Sequence, residues 1–86
     1  MNNFKFSVLT QNGHAFKGIV EKVIVTTSEG EITILKNHIP LIALTNKGRL
    51  VIYSENGILK FMANEGLVKI DKEESVLMSD KVEILK

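Results

Sequence analysis

Three side chains in the stretch SEGEITILKNHIPLIAL (residues 28–44) are of types that do chemistry: Glu29, Glu31 and His38. Two apart on an extended chain, Glu29 and Glu31 point to the same side. A glycosidase uses such a carboxylate pair, held about 5–10 Å apart across a sugar-sized cleft. This chain has no tryptophan for a sugar platform. Gly30 between the acids reads as a positive-φ turn, with the acids on its solvated shoulders. His14 and His38 are the only histidines, and no HxxxH or HxxH spacing joins them to a zinc-like ligand set. His38 reads as a loop residue before an Ile-Pro turn, with Pro40 fixing the chain direction.

Other chemistry finds little support. Glycines 13, 18, 30, 48, 57 and 66 form neither GxGxxG nor GxxxxGK, so no phosphate cradle is legible. Ser7, Ser28, Ser54, Ser75 and Ser79 sit in no nucleophile elbow. The aromatics Phe4, Phe6, Phe16, Tyr53 and Phe61 read as core or interface packing and match no basic–aromatic RNA-binding pattern. No catalytic residue, cofactor or metal is expected.

Composition points the same way. Eleven basic and ten acidic residues leave a net charge of +1, and Arg49 is the single arginine. A nucleic-acid binder normally shows a clustered Lys/Arg face, so none is expected as a partner. Without cysteine, disulfides and thiolate metal sites are unavailable. The amino terminus lacks a signal-peptide pattern, and no apolar run approaches the ~20 residues of a membrane span, so any membrane link must run through a partner. The 86 residues suffice for one domain whose folding hides somewhat over ~60% of the unfolded surface. Such a domain gains stability by docking to a partner.

The elements that would position these residues are short strands. Turn signals recur at QNGH (11–14), SEGE (28–31), NKG (46–48), ENG (55–57), NEG (64–66) and DKEE (71–74), separated by runs rich in Ile, Val, Leu, Phe and Thr. That punctuation predicts an all-β antiparallel sandwich or barrel. In FKFSVLT, Phe4, Phe6 and Val8 share one face, opposite Lys5 and Ser7. Strict alternation in GIVEKVIVTT puts Ile19, Glu21, Val23 and Val25 on one side and Val20, Lys22, Ile24 and Thr26 on the other. Leu67, Lys69 and Asp71 oppose Val68 and Ile70, and the VEILK ending gives Val82, Ile84 and Lys86 one side.

On these residues the chain resembles the F-type ATP synthase epsilon subunit. SEGEITILKNHIPLIAL is similar to that family's hallmark T-x-E-G-E-x-G-I-L-P-G-H-A-P-L. VLTQNGHAFKGIVEKVIV is similar to its opening V-x-T-P-D-G-x-x-F-x-G-x-V-x-x-V, and NKGRLVI, GILKFMANEGLVKI and SVLMSDKVEIL keep its strand order from about Phe4 to Leu85. Three departures stand out: Thr33 where the family usually has glycine, Lys36-Asn37 for Pro-Gly, and Glu65-Gly66 for Gly-Gly. Asn37 tolerates left-handed backbone as glycine does.

The resemblance implies an all-β, about ten-stranded antiparallel sandwich or flattened barrel. It spans residues 1–86 as a single domain, without the carboxy-terminal helical hairpin that typical members carry. The implied role is a non-catalytic rotor subunit of the central stalk, linking gamma to the polar loops of the c-ring. The protein would then sit peripherally on the cytoplasmic side of a bacterial inner membrane, or on the stromal side of a thylakoid-type membrane. Ser28, Glu29, Gly30, Glu31 and His38 would face the c-ring, and Leu41, Ile42, Leu59 and Phe61 are the expected gamma contacts. The alternative is a small five-stranded oligonucleotide/oligosaccharide-type barrel, whose mark would be a basic groove.

Overall fold

The computed structural model describes residues 3–85, and among them nine strands: β1 Phe4–Thr10, β2 Gly13–Thr27, β3 Gly30–Ile34, β4 Leu41–Thr45, β5 Gly48–Ser54, β6 Gly57–Ala63, β7 Gly66–Ile70, β8 Glu74–Ser79 and β9 Val82–Ile84. Lys86, placed by alternation on the β9 face, lies outside the described residues. β2 explains the expected count of about ten. Its first half pairs β1, and its second half pairs β3 and β5. Counted in both, it gives two five-stranded layers, β4-β7-β8-β1-β2 and β3-β2-β5-β6-β9. Nine strands in two layers exceed the five of the alternative barrel. The pairings are antiparallel except β1 with β8, which is parallel.

β2 passes between layers at a bulge. Val20 pairs Ser54 and Lys22 pairs Tyr53, so Glu21 is an extra residue with no partner on β5. An extra residue bends a strand and reverses its alternation. Val20 and Val23 are therefore both fully buried, although strict alternation sets them on opposite faces. Ile19, assigned with Val23, is instead exposed. Beyond the bulge, Lys22 lies outside with its Nζ 4.3 Å from the Tyr53 ring centroid, a cation–π contact.

The core lies between the layers. Phe4, Phe6, Val8, Val68, Ile70 and Leu77 come from one layer and Val23, Val25, Ile34, Leu50, Ile52 and Phe61 from the other, all buried. Burying such a side chain contributes about 1.5–3 kcal/mol. Thr45, 5% exposed on β4 between Gly66 of β7 and Thr27 of β2, has a hydroxyl with no hydrogen-bond partner among the described residues. An unpaired buried hydroxyl costs about 1–3 kcal/mol by mutational measures. Thr45→Val keeps the shape and removes that group. It is expected to stabilise the fold by about 1 kcal/mol, read as a melting rise of about 4–8 °C.

Candidate functional site

Following each strand through its pairings gives the molecule two distinct ends. At one end lie the turns β1–β2 (residues 11–12), β2–β3 (28–29), β4–β5 (46–47), β6–β7 (64–65) and β8–β9 (80–81). At the other lie the β2 bulge, the β3–β4 loop (35–40), the β5–β6 turn and the β7–β8 loop (71–73). Every residue in the first set of turns is polar: Gln11, Asn12, Ser28, Glu29, Asn46, Lys47, Asn64, Glu65, Asp80 and Lys81. The turns are tied to one another. The Asn46 amide donates to the Thr26 carbonyl at 3.1 Å, Asn64 to Lys81 at 3.0 Å, and the Ser79 hydroxyl reaches the carbonyls of Asn64 and Lys81 at 3.0 and 3.1 Å. This end is a polar plate held rigid from behind.

The β2–β3 hairpin carries the hallmark acids and follows a local rule used three times. In TQNG, TSEG and SENG, a Ser or Thr hydroxyl donates to the carbonyl of the glycine three residues on: Thr10 to Gly13, Thr27 to Gly30 and Ser54 to Gly57, each at 2.9 Å. Each glycine has φ between 108° and 122°, a backbone that side chains resist. A three-residue loop closing on such a glycine is a common hairpin form. The S/T-x-x-G spacing is visible in the sequence at these three hairpins, while TNKG (45–48) shares it but joins strands of different layers. At Gly30 this geometry leaves Ser28 and Glu29 exposed at the tip.

Glu31 and Glu29 then differ sharply. The Glu31 carboxylate is taken by Arg49 on β5, whose Nη2 reaches Oε2 at 3.1 Å and Oε1 at 3.3 Å while Nε reaches Oε2 at 3.3 Å. Glu29 makes no ion pair among the described residues. No three His, Cys, Asp or Glu residues among those described gather as a metal-binding group.

His38 is not with them. β3 is fully extended, and its four steps of about 3.3 Å put roughly 13 Å of strand between Gly30 and Ile34. His38 lies beyond the far end of that strand, where Asn37 donates to the Lys72 carbonyl at 3.0 Å. The expectation that the acids and His38 share one end is thus corrected, since an extended strand carries its ends apart. The His38 ring Nδ1 lies 2.7 Å from the Ile39 carbonyl, and the tautomer decides its role. Asn37 has φ 64°, the only positive value outside glycine among the described residues, which fits its place where the family has glycine.

The expected gamma contacts separate as well. Phe61 is 6% exposed and belongs to the core, so its ring offers no surface. Leu41 shares the inward parity of Ala43 and Thr45, and Leu59 that of Phe61; both are partly uncovered at the rims. Ile42 points outward and is exposed. It belongs to a surface that no single strand's alternation reveals. On the outer face of the first layer, Leu44 pairs Leu67, Leu67 pairs Met78 and Met78 pairs Leu9. These four form one apolar row across β4, β7, β8 and β1, with Leu44 70% exposed. Ile42 and Val76 extend the patch in the next row, which Lys69 and Ser7 complete. The outer face of the second layer is more polar, carrying Glu31, Arg49, Lys22, Tyr53, Lys60 and Thr33.

A profile described as "ATP synthase, Delta/Epsilon chain, beta-sandwich domain" matches residues 3–84. An ATP synthase epsilon chain of Endomicrobium trichonymphae is 40% identical over 52 residues, covering 60% of this chain and 38% of that protein. One from Caldanaerobacter subterraneus subsp. tengcongensis is 53% identical over 38 residues, covering 44% of this chain and 28% of that one. The matched segments thus span well under half the length of these relatives. A chain in the cryo-EM structure of the Euglena gracilis mitochondrial ATP synthase (OSCP/F1/c-ring, rotational state 1) superposes with a TM-score of 0.90 at 15% identity. The match covers 98% of this chain and 54% of that one, a likeness of fold.

Proposed function

Since the chain belongs to the ATP synthase delta/epsilon β-sandwich family, we propose that it is a non-catalytic rotor subunit that joins the gamma subunit to the c-ring. The observation that carries this reading is the apolar row Leu44–Leu67–Met78–Leu9 on an outer sheet face, set beside an end made only of polar turns. Monomeric proteins rarely leave a large contiguous apolar patch in water, and a permanent joint resembles a core cut in half. The row, with Ile42 and Val76, is the gamma-facing surface of this reading. The polar end suits the hydrophilic loops of the ring, where hydrogen bonds and charges set register more than raw affinity.

The mechanism follows from stiffness and attachment. A sandwich packed at crystal-like density transmits a lateral load without yielding. The ties between turns carry that load from the ring end into both layers, because β2 belongs to each. The chain contributes no reacting group, binds no nucleic acid and meets the membrane only through the ring. Its place is the cytoplasmic face of a bacterial inner membrane, or the stromal face of a thylakoid-type membrane.

The test is size-exclusion co-elution of this chain with the gamma subunit of its own organism. A stable one-to-one complex supports the reading, and separate elution from a folded gamma would sink it.

A further inference from the structure

We propose that Arg49 is a positioning residue of the polar end: it withholds Glu31 from the ring and leaves Glu29 as the carboxylate that accepts from it. This rests on the reading of that end as the ring contact. Three strands build the lock. Glu31 on β3 pairs Thr26 on β2, and the Thr26 hydroxyl donates to the Arg49 carbonyl on β5 at 3.1 Å. A Cβ on Gly48 would lie 2.6–2.9 Å from the Thr26 side chain, so a bare glycine lets β5 come close enough for the bond. Above it the guanidinium engages both Glu31 oxygens through Nη2, with Nε closing the fork, at 3.1–3.3 Å. A planar fork fixes the direction of a carboxylate as lysine's point charge does not. The pair is about half exposed, so its contribution to stability is small. Its effect is on which charge faces outward. The tip carboxylate Glu29 is held only through its backbone, whose amide donates to Thr27 Oγ1 at 3.2 Å, and its side chain stands in solvent.

Charge reversal distinguishes the two roles. Four variants are compared, Glu29→Gln, Glu31→Arg, Arg49→Glu and the double swap Glu31→Arg/Arg49→Glu. Each is read by attachment to detergent-solubilised c-ring in the assembled rotor and by amide exchange of residues 26–33 in the chain alone. Glu29→Gln and each single reversal are expected to weaken attachment roughly tenfold, with the swap restoring it to about twofold of the parent. Protection of the hairpin amides is expected to fall in each single reversal and return in the swap. A swap that regains protection but stays detached means Glu31 itself contacts the ring, and overturns the proposal. Unchanged protection in Arg49→Glu overturns the lock. Unchanged attachment in Glu29→Gln, with the lock confirmed by exchange, overturns the assignment of Glu29. If every variant also stays attached, the fault lies with the ring reading.

Discussion

Gly66→Ala is expected to cost the fold about 3 kcal/mol and to lower its melting temperature by roughly 10–20 °C. A Cβ there would run into the Met78 carbonyl oxygen of β8, with the Met78 carbonyl carbon at 3.0 Å and Ser79 Cα at 3.1 Å. All three are backbone atoms in the β7–β8 ladder, where Gly66 pairs Ser79. Backbone cannot rotate aside as a side chain can, so either the ladder opens or β7 shifts. A domain of this size has about 4–13 kcal/mol of stability in total, and the loss takes a large share of it. Gly48→Ala is the useful contrast, because the three nearest atoms its Cβ would meet, at 2.6–2.9 Å, all belong to the Thr26 side chain and not to backbone. Differential scanning calorimetry of both variants checks the ranking, and a Gly66→Ala protein melting like its parent would contradict the geometry.

The second large effect is on binding. Leu44→Asp combined with Met78→Asp is expected to weaken association with gamma about a thousandfold, which is roughly 4 kcal/mol from two central contacts of about 2 kcal/mol each. Leu44 is 70% and Met78 36% exposed, so the folded chain should tolerate both acids with little change in melting. Ile84→Asp is the matched control. Ile84 is just as exposed, at 74%, but stands on the β9 edge of the other layer, and its substitution should leave association unchanged. Titration calorimetry separates the cases, and equal loss from Ile84→Asp would move the interface to the other layer.

Most strands were legible because Gly, Asn and acidic residues punctuate runs that alternate. Phe4, Phe6 and Val8 on one face, and Val68 with Ile70 opposite Leu67 and Lys69, follow from the side-chain period of two. The hallmark stretch indicated the family, and its Asn37 adopts the backbone that glycine would. The misassigned faces of β2 have one cause. A bulge is a matter of pairing with β5, and nothing within GIVEKVIVTT marks Glu21 as the residue left over. The separation of Glu29 from His38 was concealed in a similar way, since closeness along the chain is not closeness in space across an extended strand. Phe61 and Leu59 read as surface because GILKFM is apolar on both parities, and only the register with β5 and β9 shows which parity meets the core. The row from Leu44 to Leu9 draws on four strands distant in sequence, so no local pattern could reveal it.

The parallel pairing of β1 with β8 sets the order in which the chain can become a folded object. Lys5 is the register partner of Glu74, so the first strand has one neighbour at hand in β2 and must wait for a strand lying far along the chain to obtain the other. Loop closure across that interval comes before its reward, which places this protein among slow folders, on the scale of milliseconds to seconds. During synthesis the apolar segment FKFSVLT therefore spends its time as an exposed hairpin edge, the kind of strand that pairs with the wrong chain. The β1–β8 seam is thus the longest-range strand pairing of the fold, and the stage before it closes is the one at which unfinished chains leave β1 open to one another.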